Sequence, residues 1–133
     1  GIRRLKLAST LLYAFPGSPT VFYGDEAGME GCEDPFNRGP FPWGHEDPVL
    51  LYHYQVLGRL RKSRVSLQKG DIQYLRAEGG LLVFTRSCGT ETTLIALNNG
   101  PDAVALELPW DAPMAEDALT MKAMWNACRE ELK

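Results

Sequence analysis

The sequence predicts an α+β chain in which an α/β unit is followed by an antiparallel β-sheet and then by a helical tail. Three observations carry this prediction. Apolar residues recur at helical spacing near the start and give way at once to a short strand-like run at Thr20–Tyr23. Beyond Gly70 four short runs rich in strand-favouring residues are separated by turn signals. Finally, Met114, Ala118, Met121, Trp125, Cys128 and Leu132 step by four, three, four, three and four residues, the signature of one helical stripe.

The first helix follows from Leu5, Ala8, Leu12 and Phe15, with Leu7, Leu11 and Ala14 beside them, which implies burial over a wide face. Pro16-Gly17 ends it, because proline disfavours a helical conformation in the residue before it. Thr20-Val21-Phe22-Tyr23 lacks polar alternation, as a strand buried on both faces of a parallel sheet would. From Gly24 to Asp47 the composition turns to Gly, Pro and acid, with seven Asp or Glu against the single base Arg38. Long loops inside compact domains are often functional. Phe36, Phe41 and Trp43 stand among its charges, a mixture that suits a sugar surface, where rings stack on apolar faces and polar groups bind hydroxyls. The same aromatics would equally serve to pin the loop to the core.

Asp47-Pro48 is a helix start, an acid at the N-cap followed by proline at the first helical position. Leu50, Tyr54, Leu57 and Arg61 follow one stripe of that second helix. Arg59, Arg61, Lys62 and Arg64 load its C-terminal end, where cations favour the helix dipole, and read as a solvated terminus. The strands are expected at Asp71–Arg76, Leu81–Arg86, Thr92–Asn98 and Ala103–Leu108, joined as hairpins. In the last, Val104, Leu106 and Leu108 alternate with Ala103, Ala105 and Glu107, so one face is buried. The division between the two parts falls near Leu67–Gly70, giving segments 1–69 and 70–133.

The chain has 133 residues, 44% of them hydrophobic, and a net charge of −3. This is globular composition with enough apolar residues for a core. An acidic balance argues against nucleic acid as a partner, since such binding leaves a basic footprint. No apolar run approaches the ~20 residues of a membrane span, which argues against a membrane partner. The chain begins at Gly1 rather than Met, as expected of a processed or excised piece. Cys32, Cys88 and Cys128 are odd in number and lack a CxxC spacing, so they read as free thiols in a reducing, cytoplasmic compartment.

Among chemical constellations, His45 and His53 form no HxxxH or HExxH pair, so no metal is expected. GxSxG, P-loop and GxGxxG motifs are absent, and no cofactor is implied. Asp25-Glu26 is the obvious carboxylate pair, yet adjacent residues on extended backbone point to opposite faces. A retaining glycosidase needs two carboxyls ~5–5.5 Å apart across one bond, so at least one of this pair is expected to be structural. Asp34 and Arg38 place an acceptor and a fork of donors four residues apart on one loop. They could grip vicinal sugar hydroxyls, or form a mutual salt bridge that merely shapes the loop.

From Phe15-Pro16-Gly17-Ser18-Pro19-Thr20-Val21-Phe22-Tyr23-Gly24-Asp25-Glu26-Ala27-Gly28-Met29-Glu30-Gly31 the chain resembles the α-amylase family of glycoside hydrolases around the eighth strand of its barrel. The continuation Asp34-Pro35-Phe36-Asn37-Arg38-Gly39-Pro40-Phe41-Pro42-Trp43-Gly44 is similar to the following loop in the neopullulanase, cyclomaltodextrinase and maltogenic amylase branch. The resemblance implies that residues 1–69 are the terminal unit of a (β/α)8 barrel, and that the β-rich remainder is the partial β-sandwich domain that follows it. A whole barrel needs ~250 residues, more than this chain contains. It also implies that the retaining cleavage of α-glucosidic bonds uses carboxylates on earlier strands, so that no residue here is catalytic and the chain alone is inactive. Asp34 and Arg38 match loop positions that contact the sugar on its non-reducing side. The partner implied is an α-glucan oligosaccharide, held in the context of the full barrel. A stand-alone carbohydrate-binding or oligomerising module is the alternative, and exposed apolar faces on a lone barrel unit would favour self-association. After about Trp110 the chain departs from the family pattern in its helical tail.

Overall fold

The computed structural model describes residues 1–31, 33–35 and 37–107, together with the backbone of three short strands within 114–132. Helix α1 covers Ile2–Ala14, α2 covers Pro48–Ser63 and the single-turn α3 covers Val65–Lys69. Strands β1 (Asp71–Glu78), β2 (Leu81–Cys88) and β3 (Glu91–Asn98) form an antiparallel sheet in that order. Four-residue strands follow as β4 (Val104–Glu107), β5 (Met114–Asp117), β6 (Lys122–Trp125) and β7 (Arg129–Leu132). β4 pairs with β7, and β5 with β6.

The sheet is built by its turns. Glu78 pairs with Leu81 across Gly79-Gly80, whose φ angles of 57° and 84° are the two positive values that a tight hairpin of matching twist requires. Cys88 and Glu91 pair in the same way around Gly89-Thr90. A bulge between Tyr74 and Arg76 bends the outer strand β1, an irregularity suited to an edge.

Strand alternation sorts β2 into two faces. Leu82, Phe84 and Arg86 point toward the helices, and Phe84 joins Ala14, Leu67, Ile95 and Leu97 in the main core. Leu81 and Val83 point the other way and pack with Leu106 of β4, with Leu94, Ala96 and Val104 around them. The alternation expected of β4 is therefore present through Glu107, with Leu108 outside the described residues.

Helix α2 starts as expected, since the Asp47 carboxylate accepts the backbone N–H groups of Val49 (2.8 Å) and Leu50 (3.0 Å). Leu50, Tyr54 and Leu57 are buried along its stripe. Helix α1 ends at Phe15 before Pro16. Its inward face is Leu7, Leu11, Ala14 and Phe15. Ala8 and Leu12 are exposed, so the stripe through Leu5, Ala8 and Leu12 is not the packing face.

Two arginines hold the C-terminal end of α1 to the rest of the molecule. The last carbonyls of a helix have no partner inside it. Arg61 of α2 donates to the carbonyls of Tyr13, Phe15 and Gly17. Arg86 of β2 donates to Ala14 O and, through Nε and Nη2, to Gly70 O at 3.0 and 2.8 Å. The residue is 1% exposed. Burial first, and then the charge of Arg61, lower its pKa from the ordinary arginine value, against an opposing pull from Asp71. The expectation that Arg61 belongs to a solvated basic terminus is thus corrected. Arg59 lies over the Tyr52 ring at 5.8 Å, while Arg59, Lys62 and Arg64 are exposed.

At the join between helices and sheet, Ser66 donates its N–H (2.8 Å) and hydroxyl (2.5 Å) to Glu91 and meets the Thr93 hydroxyl at 2.7 Å. Those donations hold the Glu91 carboxyl below the usual carboxylate range. A β3 side chain thereby caps α3, which has no cap of its own.

Two expectations are corrected. Thr20–Tyr23 is not a paired, buried strand. Thr20 to Phe22 is irregular, Tyr23 opens a turn and Phe22 is 60% exposed. A strand is stabilised by backbone partners, and no parallel neighbour exists among the described residues. Nor is the segment from Met114 to Leu132 one helix, because it contains β5, β6 and β7. Pairing with β7 occupies the backbone groups of β4 that a helical tail would leave unmatched, so the sheet overrides an apolar spacing that suits a helix.

Candidate functional site

The loop from Gly24 to Asp47 is closed at its base by backbone bonds. A turn at Tyr23–Gly28 is held by Ala27 N–H to Gly24 O (3.0 Å) and Met29 N–H to the same oxygen (2.9 Å). Asp47 N–H donates to Ala27 O at 2.9 Å, so the loop ends where α2 begins. Midway, the Tyr23 hydroxyl donates to Gly39 O at 3.2 Å.

Of the acidic pair at the start of the loop, Glu26 folds back to accept Gly24 N–H at 3.0 Å. This is the structural role expected of at least one member. Burial, and next the charge of Glu26, raise the Asp25 pKa above the ordinary aspartate value.

Asp34 and Arg38 do meet. Arg38 Nε lies 2.8 Å from Asp34 Oδ1, and Nη2 donates to Oδ2 at 3.1 Å, a two-point contact. The Arg38 side chain is 70% exposed and that of Asp34 60%. The contact engages one edge of the guanidinium and leaves the pair open to solvent. A guanidinium carries five N–H donors and a carboxylate about four acceptor sites, so the pair can hold its own shape and still receive hydroxyl groups.

Trp43 is 80% exposed and leans on Phe41, with ring centroids 4.6 Å apart at 50°. It does not pin the loop to the core. Phe36 lies outside the described residues.

The histidines do not converge. His45 is exposed in the loop. His53 Nε2 faces Ser9 Oγ at 3.1 Å, Lys6 O at 3.3 Å and Thr10 Oγ1 at 3.5 Å, clasping α2 to α1. Burial lowers its pKa from the ordinary histidine value, partly offset by the bond to Lys6 O. Among the described residues no three His, Cys, Asp or Glu side chains gather to hold a metal. Cys88 is a free thiol, and Cys32 and Cys128 lie outside the described residues. No helix among the described residues is long and apolar enough to cross a membrane.

The described residues combine a small antiparallel sheet, covered on one face by helices, with an acidic, aromatic loop that enters the second helix, and comparisons with known proteins identify the family. Residues 70–119 match the alpha-amylase C-terminal domain, and the chain belongs to the α-amylase family. It is 36% identical over 115 residues to a cyclomaltodextrinase of Geobacillus thermopakistaniensis (strain MAS1), covering 84% of this chain and 20% of that protein. A maltogenic alpha-amylase of Bacillus acidopullulyticus is 33% identical over 131 residues, covering 94% of this chain and 22% of its own length. The crystal structure of an alpha-amylase from Geobacillus thermoleovorans, complexed with acarbose, superposes with a TM-score of 0.86 at 31% identity. That match covers 99% of this chain and 31% of the other. The chain thus spans about a fifth of the length of these two curated relatives.

Sequence reasoning missed Arg86 and the second role of Arg61. Both bind backbone carbonyls, which every residue possesses, so no pairing of residue types along the sequence marks them.

Proposed function

We propose that this chain is the C-terminal portion of an α-glucan hydrolase, a retaining α-glycosidase acting on maltooligosaccharides, cyclomaltodextrins or pullulan-like substrates. In this reading residues 1–69 are the end of a (β/α)8 catalytic barrel, and the strands beyond are the β domain that follows it. The chain contributes binding and no catalytic carboxylate, and works in a reducing cytoplasm. The observation that carries the reading is the family match, with residues 70–119 fitting the alpha-amylase C-terminal domain and 84% of the chain aligning with a cyclomaltodextrinase; the exposed Asp34–Arg38 pair is the sugar contact it suggests. A fork of donors against a carboxylate matches two neighbouring sugar hydroxyls, each of which can donate and accept.

A reducing-sugar assay and calorimetric titration of the full chain with maltotetraose test it. No reducing sugar is expected from cyclomaltodextrin, and turnover by material of confirmed mass would overturn the reading. Saturable binding in the millimolar range, weakened several-fold by Asp34→Ala and by Arg38→Ala, would favour a stand-alone carbohydrate-binding module instead.

A second reading, a self-associating module, is favoured by Phe22, Val49 and Tyr52, all exposed large apolar side chains. Light scattering is then expected to give a mass that rises above the monomer with concentration. A constant monomer mass would exclude it.

A further inference from the structure

We infer that Trp43 is a stacking platform for the apolar face of a glucose ring, a binding role separate from that of the Asp34–Arg38 pair. The inference rests on the glucan reading above and deepens it. An indole is a large apolar surface, and here it is 80% exposed on a loop otherwise rich in charge.

The main chain beneath it is fixed rather than loose. Trp43 N–H donates to Phe41 O and His45 N–H to Pro42 O, both at 2.9 Å. Pro40 and Pro42 restrict the backbone on the N-terminal side. Phe41 supports one side of the indole at 4.6 Å between centroids. An exposed aromatic held in this manner has little conformational freedom left to lose on binding, which is what preorganisation means for affinity.

The surroundings select the occupant. Glu30, Glu33, Asp34, Arg38 and His45 are all exposed on the same loop. A protein surface closing over Trp43 would meet a loop rich in charge, and any charged group it covered would lose its water at a cost unless it found a partner. A pyranose presents C–H groups to the indole while its hydroxyls exchange hydrogen bonds with carboxylates and water. The chemistry of the loop therefore fits a sugar better than an apolar protein patch.

The test follows maltotetraose binding to the full chain by NMR, with Trp43→Phe identifying the indole N–H signal of Trp43. On titration that signal is expected to move, and Trp43→Ala is expected to weaken binding roughly tenfold, as loss of a ring contact does, with Trp43→Phe intermediate. The thermal midpoint should stay unchanged, because the side chain touches little of the fold. Native-like affinity in Trp43→Ala would overturn the platform while leaving the Asp34–Arg38 reading standing. A signal that moves with protein concentration and not with sugar would assign the indole to contact between copies and overturn it too. Absence of any sugar binding by the native chain would overturn the platform while leaving the family reading standing.

Discussion

Replacing Arg86 with methionine is expected to lower stability by about 3 kcal/mol or more, and the thermal midpoint on the order of 10 °C. The substitution keeps length and apolar bulk but takes away the donors that serve Ala14 O and Gly70 O. Buried carbonyls without a partner cost ~1–3 kcal/mol each. A buried ion pair replaced on both sides by apolar groups can be neutral. Here the acceptors are main-chain atoms that no substitution removes, so the loss is not offset. Arg86→Lys should fall between, since an ammonium cannot span both carbonyls as a planar fork does. Arg76→Met is the control. Its ion pair with Glu78 is exposed, and its loss should stay within about 0.5 kcal/mol. Thermal and urea unfolding of the three variants decides the matter, and an Arg86→Met midpoint equal to the native one would refute the clasp.

Gly70→Ala is expected to cost about 2–3 kcal/mol, although alanine is compatible with the backbone there. Gly70 has φ −66° and ψ 151°, ordinary extended values. The obstacle is space. A Cβ would meet Ser66 O, and would come within 2.8 Å of Ser87 O, both backbone atoms unable to swing aside. Movement of Gly70 would also displace the oxygen that Arg86 grips. Gly58→Ala on α2 gives the opposite sign. Nothing lies within 4 Å of a Cβ there, and alanine gains up to ~1 kcal/mol of helix propensity over glycine. Urea midpoints should therefore move in opposite directions for the same chemical change, and equal shifts would show that the contact at Gly70 is not limiting.

Much of the fold was legible where local chemistry and tertiary structure agree. Asp47-Pro48 names a helix start because capping is a local event, and the Gly-rich turns mark the hairpins because positive φ angles are local too. Thr20–Tyr23 and the stepped apolar residues from Met114 to Leu132 were misread for a common reason. Strand formation depends on a backbone partner elsewhere, which spacing along one segment does not report. The separation of Asp34 and Arg38 allows either a mutual salt bridge or a grip on sugar hydroxyls, and the salt bridge is what forms. The exposure of Trp43 was not legible, because an aromatic in a loop can anchor it or serve a ligand with the same sequence. Arg86 was the least legible residue, a charge placed in an apolar strand for the sake of carbonyls.

The two kinds of arginine contact respond differently to the ionic medium. At physiological salt charges are screened over about 8 Å, and the Asp34–Arg38 pair lies open to that atmosphere. Arg86 is closed off from mobile ions and holds neutral carbonyl dipoles. Added salt therefore weakens the electrostatic tie within the loop while the Arg86 clasp keeps its strength. Ionic strength becomes a means of loosening the loop without unfolding the scaffold.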